Sequence, residues 1–343
     1  MAAKLLGHTV VLAVDNDAKQ LKVHEANHPG TQHLEMTLGP ETEAELVEAI
    51  RAAVPKEQWH RCWIHGSPPC QTQSRMRQLG AAGGSEGKRA LGSNSASALA
   101  QRLSEREAYD KANREIKCGG IDLVAWTVDL IAKLEPPQFS IEEVNDGAGE
   151  VKQVMKRARR KHPELLDHLV VQMADYGIPH LRERVIASRP STIYALRSRT
   201  SLKVSKHTTI RETIGASLEP EIVAILGVVS RPIVPKGCPN HKVRPCAKNN
   251  KAMNTVSDYT DGNVMIYTLD RPAPTVCCRA LTFVDEYHSN VRSTSADELR
   301  ALTTFPPEFA WPSNAGKMQQ IKGYGNAVPP RFAQTLFAAA APE

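Results

Sequence analysis

The chain has 343 residues, room for one large domain and a smaller second one. Hydrophobic residues make up 41% and charged residues 23%, and no apolar run reaches membrane-spanning length; this excludes a disordered chain and a bundle of spanning helices, and no membrane partner is expected. The net charge of +6 permits a polyanionic partner, and seven scattered cysteines fit free thiols in a reducing compartment better than a disulfide scaffold.

The first element is the β-branched apolar run His8 to Val14, a strand that ends at Asp15-Asn16-Asp17 and leads into a helix over Ala18 to Ala26. An acidic residue ending the second strand of a nucleotide-binding βαβ unit commonly bonds ribose hydroxyls. Asp15 is the candidate for that role; N-capping of the helix by Asp15 or Asp17 is the equal alternative. Such a unit ordinarily opens with a strand and a glycine-rich turn. Gly7 is the only glycine ahead of Gly30, so that turn has been lost, comes from a second chain, or lies upstream of Met1.

Glu43 to Val54 has Leu46, Ala49, Ile50 and Ala53 on one helical face, with Thr42 and Glu45 at capping-box spacing. A buried strand then ends in Trp63-Ile64 and runs into His65-Gly66-Ser67-Pro68-Pro69-Cys70-Gln71. Two prolines fix φ and remove two donors, so the chain must leave the sheet there. That puts Cys70 at the carboxyl end of a strand, where open α/β sheets place reacting groups. A cysteine is the best side-chain nucleophile, but only once it is a thiolate. Residues Thr72 to Gly120 carry the run Gly80 to Ser85 and several arginines; they read as a lid or as a surface insertion.

Ile121 to Leu134 has helical periodicity and stops at Pro136-Pro137. Gln138 to Val144 is a short buried strand ending in Glu142-Glu143, and charges at such a point imply a partner or a task. Val151 to Lys161 is a basic helix. Strands over Leu165 to Ala174 and Val185 to Ala187 flank the turn Asp175 to Pro179, and Arg182 and Arg184 share one face of the extended segment after it. Two arginines so placed suit ordering a loop or holding a phosphate. From about Pro190 to residue 270 the composition turns to Pro, Lys, Asn and Cys, as in a small irregular second domain. Cys238, His241 and Cys246 fit no standard zinc spacing, so no metal is expected. Leu269 to Val276 is extended, Leu299 to Phe305 helical, Gly323 to Pro330 a tight turn, and Phe332 to Ala340 a helix with prolines at its start.

Pro69-Cys70-Gln71 is similar to the nucleophile motif of the DNA cytosine-C5 methyltransferase family. Phe139 to Val144 resembles that family's strand ending in Glu-Asn-Val, and Tyr176 to Arg184 its Gln-x-Arg-x-Arg segment. Asp270 to Thr275 resembles the stretch after the target-recognition domain, Gly325 to Pro330 the C-terminal cofactor-wall motif, and Leu6 to Pro29 the stretch that follows the glycine-rich cofactor motif. The shared order spans nearly the whole chain.

The resemblance implies a Rossmann-like α/β sheet of the S-adenosylmethionine-dependent methyltransferases with a second, smaller, irregular target-recognition domain. It divides the chain into a catalytic domain over 1–189, incomplete at its N-terminus, a target-recognition domain over 190–268 and a C-terminal return over 269–343. It implies methyl transfer from S-adenosyl-L-methionine to C5 of a cytosine flipped out of double-stranded DNA, through a covalent bond from Cys70 to C6. Glu142 would bond N3 and the exocyclic amine, Arg184 the carbonyl oxygen, and Arg182 a loop or phosphate. Asp15, Asn16, Pro68, Asn326 and Val328 would contact the cofactor. An RNA cytosine-C5 methyltransferase and a DNA-binding homologue without turnover are the alternatives, and a prokaryotic or phage cytoplasm is the expected setting. Two departures stand out besides the glycine turn: Glu143 occupies the usual Asn position and His180 the usual Gln.

Overall fold

The computed structural model describes residues 1–68, 120–145, 149–199, 207–228, 260–261, 264–277, 280–286 and 290–340. Cys70, the lid segment after it and the cysteine–histidine stretch 238–246 lie outside them, so the expectations resting on those residues do too.

The chain opens with α1 (Ala2–Leu5), β1 (Leu12–Asp15), α2 (Ala18–Asn27) and β2 (Gln32–Glu35). β1 and β2 run parallel, Leu12 beside Gln32 and Asp15 beside Glu35. β1 is shorter than the apolar run because its partner begins at Gln32, whose N–H bonds Val11 O. α3 (Glu43–Ala53) and β3 (Trp63–Gly66) follow. The expected capping box at α3 does not form. Thr42 Oγ1 instead donates to Thr37 O at 2.8 Å, folding back on the preceding turn.

α4 (Gly120–Leu134), β4 (Gln138–Val144), α5 (Glu150–Lys161), β5 (Asp167–Gln172), β6 (Glu183–Ser188) and α6 (Pro190–Arg199) complete the first part. Their sheet has the order β3-β4-β6-β5, with β3 and β4 parallel and β6 antiparallel to both its neighbours. The turn before β6 has Gly177 at φ 78°, a conformation that glycine adopts without penalty.

The remainder is α7 (Ile210–Ile214), β7 (Ala224–Val228), β8 (Thr260–Asp261), β9 (Val264–Thr268), β10 (Thr282–Val284), β11 (Asn290–Ser293), α8 (Ala296–Leu302), α9 (Lys317–Asn326) and α10 (Pro330–Ala340). β7 to β11 form a second, antiparallel sheet in the order β11-β10-β7-β9-β8, drawing strands from both sides of residue 268. α8 starts three residues earlier than the periodicity suggested. Ser295 and Glu298 make a reciprocal capping box, with Ser295 Oγ accepting from Glu298 N–H and Glu298 Oε2 from Ser295 N–H.

The main sheet is covered on both faces. Val124, Val128 and Ile131 of α4 and Val151 and Met155 of α5 pack on Phe139, Ile141 and Val185. Ile193 and Leu196 of α6 and Phe332 and Leu336 of α10 pack on the other face, against Val171 and Ile186. These side chains are almost wholly out of water, and each contributes about 2 kcal/mol on burial. The second sheet rests Ile225 and Phe283 on Ile210, Leu299, Leu302 and Ile321.

β1–β2 and β3–β4–β6–β5 are separate sheets by hydrogen bonding, yet they share a layer. Val14 of β1 and Ile64 of β3 both pack on the cluster of Met36, Leu46, Val47, Leu130 and Leu134. Between them lies a cavity of about 430 Å³, walled by Ala13, Val14, His65, Val328 and Phe337 among others.

Candidate active site

Along β4 successive side chains alternate between faces. Phe139 and Ile141 go to the α4–α5 core, while Ser140 and Glu142 turn to the opposite side. There Ser140 Oγ takes Trp63 Nε1–H at 3.2 Å and lies 2.8 Å from His65 Nδ1. Glu142 is 5% exposed. Its Oε2 accepts from Ser67 Oγ at 2.8 Å and its Oε1 from Arg184 Nε at 2.7 Å, with Arg182 Nη2 4.0 Å away. β6 delivers Arg184 opposite Val144, on the diagonal from Glu142.

Burial by itself would push the Glu142 carboxyl up. Arg184, then Arg182, then the hydroxyl of Ser67 and His65 outweigh it and hold the group below the usual carboxylate range. Glu142 is therefore an anion aimed at the carboxyl end of the strand, able to accept two N–H donors from a planar ligand or to take up a proton when one is supplied.

Glu143 does not share this site. The strand turns it to the other face, where Oε2 accepts from Val144 N–H at 2.8 Å. The two adjacent carboxylates therefore do not face one another. His180, at the usual Gln position, is wholly buried; burial first and Arg182 second push it down to about 3, so it adds no charge.

Arg182, read from the sequence as ordering a loop or holding a phosphate, is 2% exposed and turned toward backbone carbonyls. Its Nη1 donates to Gly325 O at 2.7 Å and Val276 O at 3.3 Å, and its Nη2 to Asn326 O at 3.3 Å. It straps the C-terminal motif and Val276, at the end of the Leu269 to Val276 stretch, to the main sheet. That stretch also bonds directly: Leu181 N–H to Ala273 O and Ala273 N–H to Pro179 O, both at 2.8 Å.

The Gly323 to Asn326 segment, expected as a turn, is the last part of α9. Its glycines serve close approach. A Cβ on Gly325 would stand 2.1 Å from the backbone oxygen of Cys277, and one on Gly323 2.3 Å from the Trp311 ring. Val328 lines the cavity, as does Asp15, while the side chains of Asn16 and Asn326 are exposed. Asp17 caps α2 through Lys19 N–H at 2.9 Å, and Asp15 Oδ1 takes Asp17 N–H at 2.8 Å from the cavity wall. Pro68 is half-buried beside Ser67.

Sequence reasoning missed Ser67, Ser140 and His65 as site residues. The available signal was the strand period, which sends His65 and Ser140 to the same face as Glu142.

A family model for C-5 cytosine-specific DNA methylases matches residues 111–341. No curated protein matches the chain. Among solved structures, a candidate DNA modification methyltransferase encoded within an E. coli prophage is 16% identical, with a TM-score of 0.52 over 98% of this chain and 93% of its own. S. pombe Dnmt2 methyltransferase is 16% identical, TM-score 0.53, over 98% and 93%. A Spodoptera frugiperda DNMT2 mutant is 14% identical, TM-score 0.54, over 99% and 95%. At such identities the likeness is one of fold, the Rossmann-like α/β fold of the methyltransferases. The family match covers two thirds of the residues: this chain belongs to the C-5 cytosine-specific DNA methylase family.

Proposed function

We propose that the chain methylates C5 of cytosine in double-stranded DNA with S-adenosylmethionine as donor. The observation that carries the reading is the buried Glu142 anion held between Arg184 and Ser67, the residue three ahead of Cys70. C5 of cytosine is a poor nucleophile. Addition of the Cys70 thiolate to C6 forms an S–C bond and moves the ring electrons toward C5. Glu142, bonded to N3 and the exocyclic amine, relieves the charge that develops on the ring as sulfur adds. Arg184 then leaves Glu142 for the base's carbonyl oxygen. S-adenosylmethionine supplies an electrophilic methyl group when bound. A water then takes the C5 proton, and the electrons of that C–H bond re-form the C5–C6 double bond as the C6–S bond breaks, expelling sulfur as the Cys70 thiolate that began the cycle.

The described residues fit one end of that cofactor. Asp15 stands at the cavity wall where ribose hydroxyls would be bonded, and Val328 and Phe305 offer apolar contact to a base. For the methionine end the described residues supply no glycine-rich turn. We propose that a strand and turn lying outside the described residues complete the site. The cavity between β1 and β3 supports this: it separates two strand edges within one packed layer, where unpaired backbone groups are costly. The division into a catalytic part and a target-recognition part built around the second sheet belongs to the same proposal.

A duplex oligonucleotide carrying 5-fluorocytosine tests the chemistry, since fluorine blocks the final elimination. With cofactor present, the wild-type chain should form a covalent complex stable to denaturant, and Cys70→Ala should form none. Glu142→Gln should trap at least about a hundredfold more slowly. Capture of an RNA oligonucleotide instead of the duplex would move the substrate to RNA. Tight binding of duplex without capture would make the chain a binder.

A further inference from the structure

α5 holds most of the molecule's net charge. Its twelve residues include six Lys or Arg and one Glu, which is +5 of the +6 of the whole chain. The buried side is apolar: Val151, Val154, Met155 and Ala158 face α4 and the main sheet. Two of the six cations have partners, Arg159 with Asp167 at 3.2 Å and Lys161 with Asp129 at 3.1 Å. The other four, Lys152, Lys156, Arg157 and Arg160, make no ion pair among the described residues.

Their spacing has a physical cost. Lys152, Lys156 and Arg160 follow one another at i, i+4, so like charges are stacked along one line and weaken the helix. The helix dipole favours cations in the last turn and so accounts for Arg159, Arg160 and Lys161. It does not account for Lys152, which lies in the first turn, where the dipole opposes a cation. Mere solubility would be served as well by mixed signs. A line of positive charges about 6 Å apart, over a length of about 12 Å, suits a polyanion with regularly spaced charges.

The placement connects this stripe to the site. α5 follows β4 within a few residues of Glu142, and Asn145 between them donates to Glu183, the neighbour of Arg184. α5 thus starts beyond the carboxyl end of β4, the strand that carries Glu142, and the stripe runs from Lys152 in its first turn toward Arg160 in its last. We infer that Lys152, Lys156, Arg157 and Arg160 bind the backbone phosphates of duplex DNA flanking the target base. This rests on the proposed DNA substrate. It adds a sequence-independent contact surface on the catalytic part of the chain, apart from any reading of bases.

The test is the salt dependence of duplex binding by the wild type and by a variant with Lys152→Gln, Lys156→Gln, Arg157→Gln and Arg160→Gln. Glutamine keeps the helix propensity, so thermal melting should show the fold intact. The slope of log affinity against log salt should become shallower by about 3.6, since each of the four lost phosphate contacts removes roughly 0.9. Between 50 and 200 mM salt the wild type should therefore lose about 100-fold more affinity than the variant. KM for DNA should rise while kcat at saturating DNA holds. A control variant, Arg51→Gln with Lys56→Gln, removes two exposed cations from the α3 region and should leave the slope near the wild-type value. An unchanged slope in the folded four-site variant overturns the inference, as does an equal change per charge in the control. Failure of the wild type itself to bind duplex at low salt would instead remove the DNA reading, and this surface with it.

Discussion

The two strand groups of the catalytic layer are built to different standards. In β3-β4-β6-β5 both faces are covered, and Ser140, Glu142 and Ser188 enter it with partners: Ser140 with Trp63 and His65, Glu142 with Ser67 and Arg184, Ser188 with the Phe139 carbonyl. β1–β2 is only partly buried along its length and faces a cavity. Its surroundings hold three imidazoles and the chain's amino group in close contact. The difference shows which part of the chemistry these residues complete by themselves. On the proposed reading, activation of the base is held by rigid strands and finished ion pairs, whereas the cofactor's place is walled on one side by a void.

The largest effect should come from the strap between the sheet and the C-terminal motif. Arg182→Lys keeps the charge but cannot reach three carbonyls from one planar group. It leaves buried acceptors unmatched and should cost about 3 kcal/mol. Arg184→Lys, at a more open position, should cost under half as much in stability while lowering kcat/KM at least about tenfold. Thermal denaturation and steady-state kinetics on the pair separate the two roles. Equal stability losses would mean that Arg182 is no more structural than Arg184.

Gly325→Ala comes next. The new methyl meets backbone at Cys277, which cannot rotate away, so about 2 kcal/mol is expected. Gly323→Ala meets the Trp311 ring and should cost less, because a side chain can shift. Denaturant midpoints would check the order; the reverse order would mean that the Cys277 backbone yields more easily than the indole.

Much of this site was legible in the residues themselves. The strand ending in Glu142, the turn at Gly177 and the arginines of Tyr176 to Arg184 follow from local period and turn chemistry, which are short-range signals. Arg182 and Arg184 look alike in sequence, because alternation puts both on one face. What separates them is the arrival of Gly325 and Asn326, more than 140 positions later, over one of the two. The same long-range packing hid the purpose of Gly323 and Gly325. Glycine reads as a turn when its neighbours are unknown, and here it makes room for Trp311 and Cys277 inside a helix. The gap beside β1 was visible as a missing glycine turn; that a cavity between strand edges accompanies it was not.

The smallest effect is one of pH, and it separates the two strand groups by the window in which each responds. His24 lies 2.8 Å from His33 and stacks on His28, and His28 Nε2 lies 3.2 Å from the Met1 amino group. Desolvation first, then the neighbouring positive charges, lower His24 and His28 from 6.5 to about 4. In the unfolded chain these rings take up protons near 6.5, so between 6.5 and about 4 the unfolded state binds more protons and stability falls as pH falls. Both rings remain partly in water, so the loss is small, about 1 kcal/mol. Glu142 behaves as a carboxylate stabilised in the fold, and its contribution is lost only as pH drops below the usual value of 4.5. Tm measured from pH 7 to 4 should therefore decline in the upper window for the wild type and decline less for His24→Gln. Glu142→Gln should leave the upper-window slope as it is. A slope between 6.5 and 5 that His24→Gln does not change would mean that the imidazole cluster is not what makes the β1–β2 side sensitive to acid.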